Sequence, residues 1–251
     1  MNSAFDIKDH QITFSKQIVY HFYMGVILTL GYVLVSPYII QAGYPGLTAL
    51  LIVEISLLTP LALSHLFYTG HKINRKLSLR NVIAFNTKLP LKTTLLWSLI
   101  GVVACLAIYI PVYPIGIFLR QSVFGWLPEW YFNPGFGTDD ATLVAKMFLV
   151  GILIDGLIGP TIEELFFRGY LLPRMSYLKN WAPIINGMFF GLYHFWQPHN
   201  FIGSMAIGMI LSYIVWKKKS VHLGIIIHCS LNVIGALGGY LAASNGIIIG
   251  R

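Results

Sequence analysis

Apolar residues come in seven runs, at 18–40, 46–69, 93–118, 143–170, 181–196, 201–216 and 221–243, and polar residues collect between them. A helix that crosses the hydrocarbon core of a bilayer needs about 20 apolar residues, and tilt or packing stretches that to about 17–25. The pattern therefore predicts an all-α fold, a polytopic membrane bundle of about seven transmembrane helices. Pro37, Pro60, Pro111, Pro114 and Pro160 fall inside the runs. Neighbouring helices can satisfy the backbone groups that a proline frees, so these residues predict kinks rather than helix ends. No internal repeat and no low-complexity tract is visible.

The polar segments supply an orientation. The segment 70–92 carries Lys72, Arg75, Lys76, Arg80, Lys88 and Lys92, and an excess of Lys and Arg marks the cytoplasmic side. Alternation then places the N-terminus inside and the segment 119–142 outside, where Trp126, Trp130, Tyr131 and Phe132 suit an interfacial belt. Arg174 and Lys179 return inside, 197–200 lies outside, Lys217 to Lys219 inside and the C-terminus outside. Every basic cluster lands on one side. The stretch 74–91 reads either as an amphipathic helix on the inner surface or as a solvated loop with a few anchoring side chains. No small-residue cleavage site follows the first run, which is expected to remain as a helix rather than a removable signal peptide.

Composition sharpens this picture. Of 251 residues, 56% are hydrophobic and 10% charged, against roughly 25% charged in soluble domains, which excludes a water-soluble globule. The formal charge of +8, from 17 Lys and Arg against 9 Asp and Glu, would suit nucleic acid, but topology accounts for its placement. The lipid bilayer is the expected partner and nucleic acid is not. Cys105 and Cys229 both lie in apolar runs and form no disulfide framework.

An ionisable side chain within a spanning helix is costly unless it is paired or lines a wet cavity, so each one is a functional candidate. The first three runs hold Glu54 and His65. The last four hold Asp155, Glu163, Glu164, Arg168, His194, His228 and Asn232. The chain thus divides into 1–142, three helices with a basic cytoplasmic loop, and 143–251, a four-helix catalytic core. Glu164 and Arg168 are four apart with the acid first, the favourable order for pairing. Glu163 points about 100° away round the helix and has no cation of its own in sequence. Against this stands the reading of both acids as snorkelling surface charges. Phe190 with His194, and His228 with Asn232, repeat the four-residue spacing. At about 1.5 Å per residue, Glu163, His194 and His228 lie about 15, 20 and 14 Å from the inner ends of their helices. Such groups meeting in a cavity can activate water and stabilise an oxyanion, or bind a metal. Asp155 is expected to hydrogen-bond within the bundle, Cys229 to pack, and Pro160 to open the helix. Gly187 and Gly191, with Ser204, Gly208 and Ser212, predict close helix contact.

The sequence resembles a known family in three motifs. Glu163, Glu164, Arg168 and Gly169 match EExxxR followed by glycine; Phe190 and His194 match FxxxH; His228 and Asn232 match HxxxN. These are the motifs of the CAAX protease and bacteriocin-processing (CPBP) family, the Rce1-like and Abi intramembrane proteases, and the resemblance covers about 155–237. It implies an intramembrane endopeptidase in which Glu163 and His194 activate water, His228 and Asn232 hold the oxyanion, and Glu164 and Arg168 brace the site. A zinc enzyme with Glu163, His194 and His228 as ligands is the competing form. HExxH is absent and Asn232 is a poor zinc ligand, so no metal and no cofactor is the favoured expectation. The implied substrate is a membrane-associated peptide or protein, prenylated ones included, cut near the cytoplasmic face. Compact size and short loops suggest a bacterial cell membrane and a peptide, pheromone or bacteriocin as substrate. The alternative is a catalytically inactive scaffold or a bacteriocin-immunity membrane protein. A transporter would call for inverted repeats, and none is seen.

Overall fold

The computed structural model describes residues 7–247; the extreme ends, whose sides of the membrane the basic pattern predicts, lie outside the described residues. Among the described residues every regular element is helical, and one isolated bridge joins Asn86 to Ser220. The first span is α1 (Phe14–Gln41). The second runs from α2 (Gly46–Val53) through a π-helical turn, Glu54–Leu58, into α3 (Thr59–Asn74). The third is α4 (Leu91–Phe118). Next come α5 (Ala141–Leu153), a π turn at Ile154–Ile158, α6 (Gly159–Glu164) and a second π stretch, Leu165–Leu171. After a 3₁₀ segment, Leu172–Trp181, follow α7 (Ala182–Leu192), α8 (Phe201–Lys218) and α9 (Val221–Ser244).

Among the described residues six helical stretches are long and apolar enough to cross a membrane, so the chain is an integral membrane protein. The difference from about seven lies in one place. The fourth and fifth apolar runs form a single stretch, 141–192, that folds back at Leu172–Trp181, where Met175 and Lys179 leave helical geometry. With 11 residues, α7 is about 16 Å long, too short to cross alone, and the chain continues through His194 and Asn200 before α8 begins. Lipid-facing surface is plain on α4, which buries only Ser98, Gly101 and Cys105 while Leu95, Leu99 and Ile110 stand exposed.

Two prolines leave matching marks. Pro60 and Pro160 have no N–H to give, and in both cases the turn ahead of the proline is π-helical. The Thr59 N–H bonds to Glu54 O and the Gly159 N–H to Ile154 O. Helices α7 and α8 meet as the small-residue spacing predicts: a methyl group on Gly187 or Gly191 would overlap the backbone of Met209 or Met205.

The loop 75–90 forms no amphipathic helix, and it is not a free solvated loop. It is strapped by its backbone across one end of the bundle. Ala84 N–H donates to Gly169 O (3.0 Å), Val221 N–H to Phe85 O (2.8 Å) and Thr87 N–H to Lys219 O (2.8 Å), and Val82 is fully buried. Buried Arg174 donates to Val82 O at 2.9 Å and Asn81 O at 3.2 Å. This end, with 172–181 and Lys217 to Lys219, is the basic end. At the opposite end Trp130 and Tyr131 pack on Tyr32, and the Tyr131 hydroxyl donates to Phe195 O at 2.9 Å.

Candidate active site

The residues singled out in sequence come together from three places: Glu163 and Glu164 at the end of α6, His194 in the turn after α7, and His228 with Asn232 on α9. Glu164 and Arg168 form the ion pair that their spacing predicts, 2.8 Å apart and both fully buried. An arginine taken wholly out of water needs its other donors satisfied as well. Here Nε donates to Ser212 Oγ (3.2 Å), Nη2 to Gly208 O (3.3 Å), and the guanidinium lies 3.9 Å over the Phe190 ring.

That pair anchors a longer chain of buried hydrogen bonds. Ser212 Oγ donates to Asn186 Oδ1 (2.8 Å), and the Asn186 amide donates to Phe167 O (3.1 Å) and to His21 Nε2 (3.0 Å). His21 in turn gives its Nδ1 proton to Gln17 O at 2.7 Å. All of these side chains are fully buried. A network satisfied at nearly every member fixes one arrangement of its helices, and this one ties the first span to α6, α7 and α8.

Glu164 has a second partner that its own helix does not show. His228 donates Nδ1–H to Glu164 Oε1 (3.0 Å), which leaves Nε2 directed at Glu163 Oε2, 3.8 Å away. His194 makes the same choice of nitrogen, giving its Nδ1 proton to Phe190 O (2.8 Å) and leaving Nε2 free to accept. Phe190 holds both imidazoles edge-on, with ring centroids 4.9 Å from His194 and 5.6 Å from His228. The aromatic residue of FxxxH thus carries Arg168 on its face and both histidines on its flank.

Asn232 is explained by Pro160. Gly159 N–H is used by Ile154 O, so the Asp155 carbonyl would next look to residue 160, which is proline. The Asn232 side-chain amide fills that vacancy, donating to Asp155 O at 2.8 Å, and its second N–H remains. Pro160 does open the helix, and the opening is closed from α9. Cys229 packs as expected, its sulfur 3.7 Å from both Thr161 Oγ1 and Leu157 O.

Glu163, His194, His228 and Asn232 all line one partly open cavity of about 440 Å³. Two residues outside the three motifs also bear on Glu163 and its cavity. The Tyr193 hydroxyl, fully buried, donates to Glu163 Oε1. Glu54, on the π turn of the second span, brings a buried carboxylate to the same cavity and lies so close to Gly159 that a methyl group there would overlap it. A carboxylate alone in an apolar run was the available signal for Glu54. Tyr193 had none, because an aromatic residue in an apolar helix reads as packing. Among the described residues no three His, Cys, Asp or Glu side chains are grouped so as to hold a metal ion.

Comparison with curated proteins and with solved structures gave no match. A family model does match, over residues 145–234, and its description is type II CAAX prenyl endopeptidase Rce1-like. The matched segment contains the Glu163–Glu164–Arg168 cluster, His194, His228 and Asn232, and over that segment the chain is similar to the Rce1-like family.

Proposed function

We propose that this protein is an intramembrane endopeptidase in which Glu163 is the general base, without a metal. The observation that carries the proposal is that Glu163, His194, His228 and Asn232 face one cavity while their outer hydrogen bonds are already committed elsewhere. Tyr193 holds one oxygen of Glu163, Phe190 O sets the tautomer of His194, and Glu164 sets the ring of His228. Groups positioned in this way need little reorganisation during reaction.

In the proposed reaction a water molecule is held by Glu163 and by the free Nε2 of His194. Glu163 takes a proton from it as its oxygen bonds to the scissile carbonyl carbon. The negative charge that develops on the carbonyl oxygen is met by the second N–H of Asn232 and by His228 when Nε2 also carries a proton. The C–N bond then breaks, and the proton on Glu163 passes to the departing amine. Glu164 and Arg168 act as positioning residues through His228. The test is mass spectrometry of peptide termini from membranes carrying the wild-type protein or Glu163→Gln. Termini that vanish with the variant are the expected result. An unchanged set, with both proteins inserted equally, would favour the scaffold or immunity reading instead.

A further inference from the structure

The cavity is displaced to one side of the proposed catalytic groups. Along the fourth span its lining consists of Phe148, Gly151, Asp155, Pro160 and Glu163, and it stops there. Along α9 it begins at His228 and continues through Leu231 to Ala236. On α8 it takes in Ser204 and Ile207, and on the second span Leu47, Leu50, Glu54 and Leu58. Each of these sets lies at the level of Glu163 and His228 or toward the end of the bundle opposite the basic loops. Toward the basic end the space is filled: Phe166, Phe167, Arg168, Leu171, Asn186 and Ser212 are fully buried. Beyond them lies the strap 82–87. A second cavity at that end, lined by Leu79, Ile83, Leu165 and Val221, reaches none of the four proposed catalytic residues.

We infer that substrate reaches Glu163 from the extracytoplasmic side, as an apolar peptide segment. The side follows from charge: Lys and Arg concentrate in the loops at the sealed end, and short basic loops stay in the cytoplasm. The chemistry of the segment follows from the walls, where Leu28, Leu47, Leu50, Phe148 and Ile234 lead to a polar floor. A prenylated cytoplasmic C-terminus would arrive at the closed end, so the better fit is a secreted peptide or the outer end of a membrane-anchored one. This rests on the peptidase reading for what happens at the floor, but the sidedness can be read without activity.

The experiment uses the full chain with Cys105→Ala and Cys229→Ala as background and single cysteines added at four places. Asn180→Cys marks the basic end, Ser122→Cys the opposite end, and Leu50→Cys and Ser204→Cys the cavity. Right-side-out and inverted membrane vesicles are treated with a membrane-impermeant thiol reagent, and insertion of each variant is checked by extraction and gel filtration. The expected result is that both cavity cysteines label together with Ser122→Cys in right-side-out vesicles and lose that label in inverted ones, while Asn180→Cys does the reverse. Cavity labelling that follows Asn180→Cys, labelling from neither side, or an extracytoplasmic Asn180→Cys would each overturn the inference. A set of peptide termini unchanged by Glu163→Gln would overturn the peptidase reading alone.

Discussion

The two halves of the bundle handle polar groups in opposite ways. Toward the basic end, Arg168, Arg174, Asn186, Ser212 and His21 are buried with their hydrogen bonds made inside the protein. Toward the other end, Glu163, His194, His228 and Asn232 meet an open space with donors or acceptors to spare. A satisfied buried network specifies a fold, whereas unspent hydrogen-bonding capacity in a cavity is capacity for a ligand. Substitutions should therefore separate: changes on the cavity side lower turnover, and changes on the sealed side lower the amount of folded protein.

The largest effect is expected at Glu163. Glu163→Gln should cut peptide cleavage by about 10²–10⁴, the usual worth of general acid–base catalysis, with no change in membrane insertion or thermal stability in detergent. Combining it with His194→Ala or His228→Ala should add little, because residues that act as a unit are not additive. Multiplying losses would show independent roles. Arg168→Ala should instead act on folding, since removing one partner of a buried ion pair costs about 3–5 kcal/mol. Its yield of monodisperse protein should fall sharply, and Glu164→Ala should follow it. Unchanged yields for both would erase the contrast between the halves.

Smaller effects sharpen the boundary. Tyr193→Phe removes one hydrogen bond to Glu163, a bond to a charged group being worth about 1.5–3 kcal/mol, so turnover should fall by roughly 10- to 100-fold while KM stays close to wild type. His21→Ala should lower thermal stability by about 1–3 kcal/mol through the unpaired Asn186 and leave cleavage per folded molecule little changed. Exhaustive chelation should have the least effect, with activity retained. Stoichiometric zinc that leaves and returns together with activity would overturn the metal-free mechanism.

Much of this division was legible along the chain because it rests on short-range rules. Glu164 and Arg168 pair at the spacing that helix geometry favours, and the Gly187 and Gly191 positions did mark a close seam. What sequence spacing could not show were partners on other helices. Glu164 has His228 as well as Arg168, and the Asn232 amide serves a carbonyl freed by Pro160, a consequence of a π turn that no hydrophobic period announces. The fifth run, of ordinary apolar character, folds as an 11-residue helix because its last residues, from Tyr193 to Trp196, leave the helix for the turn that carries His194. Glu54 was noticed but left in the N-terminal half, since its distance from Glu163 along the chain gives no hint that two π turns would face each other.

The bond between His21 and Asn186 joins residues 165 positions apart. At a synthesis rate of about 5–20 residues per second, the imidazole leaves the ribosome about 10–30 s before its donor exists. Throughout that interval the first span sits in the lipid with a polar group that only the later half of the chain can satisfy. The newborn helix is thus held in reserve, most vulnerable to quality-control proteases before α7 arrives and locked in register once it does.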